Sequence, residues 1–203
     1  MSYQFKKCRT ADGREFQGLY EIQPQVFSDS RGYFFEPYNE AEFFAAGFKM
    51  KFVQDNQSFS SKGVLRGMHF QTKHPQGKLV RAISGKIFDV AIDLRNQSLT
   101  FGEYYGVVLD SSKQNMFYLP KGFAHGFLSL TDNCVQSYKC TDFYDPKGEG
   151  GLMWNDGAIG IDWKGVAPEI EPLLSEKDGR HPAFDLNGKY FSMDGKWLGK
   201  TEN

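Results

Sequence analysis

The chain has 203 residues, enough for one domain with a sizeable core. Its 24 Lys and Arg nearly balance 25 Asp and Glu, which excludes a strongly basic nucleic-acid surface and a face drawn to anionic membranes. An aromatic share of 16%, with 19 Phe, suits a β-rich protein; an RNA-binding sheet with as many rings would also carry a basic excess. The three cysteines cannot all pair internally, which points to a reducing compartment. Cys134 and Cys140 share a parity on one predicted strand and read as small core residues. The opening MSYQFKKCRTADG lacks the apolar run of a signal peptide, and no segment reaches membrane-spanning length, so a cytoplasmic address is expected.

In chain order, a short strand is expected over residues 18–26, followed by FSDSRGYFFEPY at 27–38. Asn39 and Glu42 form a capping-box pattern that opens a short helix over 40–46, and Gly47 is placed to end it. Residues 51–61 are extended and polar at alternate positions. Three strands follow at 64–71, 78–83 and 86–95, divided by Pro75-Gln76-Gly77 and Ser84-Gly85. A strand pair is expected over 98–110, then strands at 115–119, 123–130 and 134–142. Short strands at this spacing with one early helix predict an all-β sandwich or barrel rather than alternating βαβ units. Beyond Tyr144 the pattern thins into Gly and Pro; Ser175 to Asp178 is expected to start one helical turn, and the last twenty residues to lie on the surface. With no internal repeat and no linker, residues 1–203 form a single domain.

The chemistry concentrates between residues 63 and 95. His69 and Gln71 share a parity on the first of these strands, and Arg66 has the opposite one unless Gly67 marks a bulge that re-aims it. On the third strand Phe88, Val90, Ile92 and Leu94 alternate with Ile87, Asp89, Ala91, Asp93 and Arg95. Asp89 is expected to face the interior and Asp93 to face solvent on an edge strand. A phosphate loop is excluded: Gly199-Lys200-Thr201 has the right ending, but Asp194 stands where the earlier glycine is required.

A metal site of the β-sandwich type would need a pair of histidines on one strand, a carboxylate soon after, and a third histidine later. Pro120-Lys121-Gly122-Phe123-Ala124-His125 fits the last part. His69-Phe70-Gln71 fails the first, with no acid before Lys78. Of His69, His74, His125 and His181, only two fall at plausible positions, so no metal is expected. A cavity of His, Lys, Asp and Arg without a metal suits proton transfer, with His69 as general base, Lys78 holding a developing oxyanion or enolate, and Tyr138 as second proton partner. On the residues alone, the plainer readings stay open: a satisfied sheet histidine for His69 and a core aromatic for Tyr138.

Several blocks, in order, carry a resemblance: GVLRGMHFQ at 63–71, QGKLVR at 76–81, FDVAIDLR at 88–95, SLTFG at 98–102, PKGFAHGF at 120–127, and Tyr138-Lys139. FSDSRGYFFE at 27–36, QDNQSFS at 54–60, Trp154-Asn155-Asp156 and LSEKD at 174–178 extend it. Together they resemble the dTDP-4-dehydrorhamnose 3,5-epimerase family over residues 18–182, leaving 184–203 as an uncovered tail. The resemblance implies an all-β, cupin-like jelly roll with short flanking helices, no metal and no cofactor. It also implies a homodimer in which N-terminal strands cross to the partner's sheet.

The implied activity is that of an isomerase in dTDP-L-rhamnose synthesis, acting at C3 and C5 of the nucleotide sugar dTDP-4-dehydro-6-deoxy-D-glucose. By motif match His69 would be the base, polarised by Asp178 of LSEKD, with Glu176 as the rival partner. Lys78 would stabilise the enolate, and Tyr138 would be the acid. Arg66, His125 and Asp89 would shape the pocket. Arg31, Phe34, Glu36, Gln54, Asn56, Glu149 and Lys177 would hold the nucleotide, some from a partner subunit, and Tyr144 would lie near the sugar. The alternatives are a single-centre epimerase or isomerase of a related 4-keto sugar, and a non-catalytic sugar-binding jelly roll, which would not need His69, Lys78 and Tyr138 together.

Overall fold

Residues 3–200 are described in the computed structural model. Two opening strands, β1 (Tyr3–Arg9) and β2 (Glu15–Pro24), precede a small hairpin of β3 (Phe27–Asp29) and β4 (Gly32–Phe34). Helix α1 (Glu40–Ala45) follows, then β5 (Gln54–Ser60), β6 (Leu65–Gln71), β7 (Lys78–Ser84) and β8 (Lys86–Asp93). The rest are β9 (Tyr104–Asp110), β10 (Met116–Leu119), β11 (Phe123–Ser129), β12 (Cys134–Cys140), the short β13 (Glu149–Gly151), and helix α2 (Trp163–Val166). Six strands pair in the order β1-β2-β10-β7-β12-β5 and five in the order β13-β6-β11-β8-β9; the hairpin forms a sheet of its own. The two large sheets stack as an antiparallel jelly roll.

Period-two alternation gives each sheet an inner and an outer face, and three apolar clusters follow from it. Between the sheets, Phe16 and Leu19 of β2 meet Val80, Ile87, Leu109, Phe117 and Phe127. On the outer face of the six-stranded sheet, Leu79, Met116 and Tyr118 are covered by Phe43 and Phe48. Asn39 caps α1 by accepting from the amides of Ala41 and Glu42, and Gly47, at φ +95, turns the chain out of it. On the outer face of the five-stranded sheet, Met68, Phe70, Val90, Ile92 and Leu128 are covered by the chain after β13, through Leu152, Trp163, Ile170 and Phe191.

Three expectations are corrected here. The residues expected as a surface tail pack instead: Phe191 is buried, bonds through its backbone to Leu94 and Asn96, and lies 5.7 Å from the Phe70 ring, on which Trp197 stacks at 5.6 Å. An apolar outer sheet face has to be covered, and this segment covers it. Asp93 does not face solvent, because β8 lies between β11 and β9 rather than at an edge. It is fully buried and accepts from Arg95, Ser98 and Thr100, each at 2.7 Å. Those same hydroxyls explain why 98–110 holds one strand and not two: Ser98 and Thr100 wrap a turn around the carboxylate. β1 and β2 pair antiparallel within the six-stranded sheet, and the hairpin β3–β4 stands apart as a sheet of its own.

Candidate active site

His69 sits on β6 directly opposite His125 on β11, yet the next inward pair is Phe127 with Arg66. Two steps on β11 therefore match three on β6, and the extra residue is Gly67. Its φ of +132 suits glycine, and a Cβ there would fall 2.5 Å from Gly126 Cα. The bulge turns Arg66 to the side of His69, and both line a cavity of about 230 Å³ between the sheets. Lys78, from the start of β7, and Tyr138 and Gln136, from β12, line it from the other sheet, with Ser58, His125, Phe127 and Asp178 completing the wall.

His69 Nε2 lies 2.5 Å from Asp178 Oδ1, while Ser175 Oγ donates to Asp178 Oδ2 at 2.8 Å. Burial pushes the Asp178 carboxyl up, but the bonds from His69 and Ser175 outweigh it and hold the group below the usual carboxylate range. Asp178 is therefore an acceptor, which assigns the proton of the imidazole to Nε2 and leaves Nδ1 with its lone pair. Glu176, the rival, is exposed and paired with Arg180 at 2.6 Å.

His125 is held differently. Its Nε2 donates to both oxygens of Asp89, at 2.9 and 3.1 Å, and Gln136 Nε2 donates to Asp89 Oδ2 at 3.0 Å. Burial pushes this imidazole below its ordinary range despite the adjacent carboxylate. Lys78 forms no salt bridge among the described residues, and its ammonium lies 5.8 Å from the Tyr138 ring. Burial lowers its pKa, opposed only partly by Cys140, Asp89 and Glu149. Burial, with a contribution from Cys140, raises the Tyr138 phenol to about 12, against the opposing charge of Arg66. Tyr138 is thus a protonated phenol at neutral pH, able to give a proton.

At the rim Tyr144 donates to Glu149 at 2.8 Å, and Lys177 pairs with Glu149 at 2.5 Å, beside Asp178. Gln54 and Asn56 lie on β5, with Asn56 paired to Tyr138 and bonded by Gln54 Nε2 at 2.9 Å. Three predicted binding residues are not brought to the cavity by this chain. Arg31 pairs with Asp29 of its own hairpin at 2.6 Å, Phe34 is 62% exposed, and Glu36 accepts from Asn39 at 3.1 Å. The concavity of about 380 Å³ along that hairpin contains Arg31 and Phe34 but none of the histidines.

Gln136, Ser58 and His181 are among the side chains that escaped the sequence reading. Gln136 shares the parity of Tyr138 two positions away, and Ser58 that of Asn56, so strand period could have found both. His181 carries no such signal; it follows the turn that bears Asp178. The histidine count is corrected with it, since His69, Asp178 and His181 place three donor atoms within 4.8 Å of one another. The metal set tested from sequence does not assemble, because Asp89 engages His125 Nε2 and Gln71 Oε1 accepts from the Asp145 amide at 3.2 Å.

A family profile described as dTDP-4-dehydrorhamnose 3,5-epimerase matches residues 14–185. The chain belongs to that family. It is 52% identical over 161 residues to the dTDP-4-dehydrorhamnose 3,5-epimerase of Methanothermobacter thermautotrophicus, covering 79% of this chain and 86% of the relative. The crystal structure of the epimerase from Elizabethkingia anophelis superposes with a TM-score of 0.80 at 48% identity, covering 89% of this chain and 96% of that one. That of dTDP-6-deoxy-D-glucose-3,5-epimerase from Legionella pneumophila, in complex with dTDP-4-keto-L-rhamnose, gives 0.82 at 38% identity, covering 90% and 93%. Members of this epimerase family are isomerases, and the cavity offers what such chemistry uses: an oriented imidazole, a protonated phenol and an ammonium.

Proposed function

We propose that the enzyme inverts C3 and C5 of dTDP-4-dehydro-6-deoxy-D-glucose in dTDP-L-rhamnose biosynthesis. The observation that carries the mechanism is the division of groups between the sheets: His69 hangs from the five-stranded sheet, and Lys78 and Tyr138 from the six-stranded one, around one cavity. Hydrogens at C3 and C5 are acidic because each carbon adjoins the C4 ketone. His69 Nδ1 takes one such proton, the C–H electron pair moves into the enolate, and negative charge develops on the C4 oxygen. The Lys78 ammonium, poorly neutralised by the protein, stabilises that oxygen. Tyr138 then donates its proton to the opposite face of the carbon and is left as phenolate. Asp178 balances the imidazolium on His69. Exchange with solvent resets both groups, and the ring is presented again for the second centre.

Arg66, His125 and Asp89 shape the sugar site, and Gln54, Asn56, Tyr144, Glu149 and Lys177 line the path of the nucleotide. Arg31, Phe34 and Glu36 serve the cavity of a second copy in a homodimer. The hairpin carries exposed Phe27, Tyr33 and Phe34, an apolar surface that a partner would cover. Among the described residues no helix is long and apolar enough to cross a membrane, and all three cysteines are buried and unpaired, in keeping with work in the cytosol.

The test is proton NMR of dTDP-4-dehydro-6-deoxy-D-glucose with the enzyme in D₂O. Deuterium is expected at both C3 and C5, with the inverted ketone trapped by an added reductase. Exchange at one carbon alone would make it a single-centre epimerase, and no exchange would overturn the activity.

A further inference from the structure

His181 has no part in the proton transfers above. It lies over Gly151 of β13, the residue paired with His69, and a Cβ at Gly151 would fall 2.4 Å from its ring. Its side chain is only 10% exposed, and its Nε2 has no hydrogen-bond partner among the described residues. That nitrogen stands 3.6 Å from Asp178 Oδ1, the same oxygen that His69 Nε2 meets at 2.5 Å. Burial and the neighbouring His69 keep the His181 imidazole below its ordinary range. A buried, unpartnered nitrogen beside a carboxylate and a second imidazole is a donor set in want of an acceptor.

We propose that His69, Asp178 and His181 form a site for a borderline divalent cation of the Zn²⁺ class, and that its occupation switches the epimerase off. A tetrahedral cation holding N and O donors at about 2.0–2.2 Å places them roughly 3.3 Å apart. The His181–Asp178 separation of 3.6 Å must close by a few tenths of an ångström, and the His69–Asp178 separation of 2.5 Å must open by less than one. Water takes the fourth position. Ligation through His69 Nε2 displaces the single ring proton from that nitrogen, and solvent carries it to Nδ1, so the ring stays neutral with its Nε2 lone pair on the ion. The proton then occupies Nδ1, where the substrate's proton would have to go. The shut-off half of the proposal rests on His69 as base; the binding half does not.

Chelator-treated full-length protein, dialysed to equilibrium against Zn²⁺, should bind one ion per site in the micromolar range or tighter. His181→Leu should weaken binding by at least about tenfold, no less than the loss of an outer-shell partner costs a metal site. His181→Gln, which keeps polarity but offers no imidazole nitrogen, replaces it if the leucine variant does not fold. His74→Ala, at a surface histidine with 53% side-chain exposure, should bind as the unmodified chain does. In parallel, Zn²⁺ should halve deuterium exchange into the nucleotide sugar at a concentration matching its dissociation constant, and the His181 variant should need at least tenfold more. No zinc bound, or binding indifferent to His181, overturns the site. Zinc held through His181 while exchange runs undiminished overturns the switch and tells against His69 as the base.

Discussion

Two His–Asp pairs stand side by side in one cavity, and they are built for different work. His125 and Asp89 lie on adjacent strands, fully enclosed, with Gln136 taking up the second carboxylate oxygen. His69 reaches from a strand to a turn 109 residues away, and its side chain is 30% exposed to the cavity. The enclosed pair has both carboxylate oxygens of Asp89 bonded within the protein and holds the ring fixed through Nε2. The open pair leaves Nδ1 free of any hydrogen bond among the described residues. A histidine bonded to an aspartate is therefore no mark of catalysis by itself; the exposure of the ring to the cavity distinguishes the two.

The sharpest way to break this comparison is to remove each carboxylate in turn. Asp178→Asn should lower kcat by about 10³–10⁴-fold, because the amide no longer fixes the tautomer that leaves Nδ1 open. Asp89→Asn should cost less in kcat and more in stability, about 1–3 kcal/mol for a broken buried hydrogen-bond network. Steady-state rates and urea denaturation of both variants check this, and equal catalytic losses would erase the distinction.

Lys78 tests the opposite sheet. Lys78→Met should lower kcat by about 10²–10³-fold through loss of enolate stabilisation, yet raise stability. Because burial depresses the folded-state pKa of Lys78, the unfolded chain holds the proton more firmly as pH rises. The stability advantage of the variant should be full below the folded-state value and close as pH climbs through the usual lysine range. Denaturation at a series of pH values reads this directly.

The smallest expected change is the most diagnostic. Tyr138→Phe should reduce inversion by about 10²-fold while deuterium exchange partly survives, since proton removal from His69's side needs no phenol. His69→Ala should stop exchange altogether. Equal loss of exchange in both would count against assigning base and acid to opposite sheets.

How much of this was legible in the sequence follows strand geometry. The strand reading put Asp89 toward the interior and His69 and Lys78 on neighbouring strands around one cavity, because a pleated backbone leaves little choice. The Gly67 bulge was legible as a condition, settled only by the register against β11. Asp178 could not be reached by spacing, since it belongs to a turn brought in by the folded chain; only the resemblance at LSEKD named it. Asp93 was misplaced because its alternation with apolar residues says nothing about which strands lie on either side. The segment after Asp185 was misjudged for a related reason: its polar composition hid Phe191 and Trp197, and the sheet face that needed them is remote in sequence.

The backbone contact between β6 and β11 also bears on how this pocket can evolve. Gly67 would meet Gly126 Cα, and a Cβ on Gly126 would meet Met68 Sδ at 2.5 Å and Arg66 O at 2.8 Å. Neither position admits a side chain without parting the strands that carry His69 and His125. The innovable residues are those whose side chains the bulge re-aims, Arg66 foremost. A randomised library that spends its diversity there, and leaves the two glycines untouched, explores new sugars without dismantling the base.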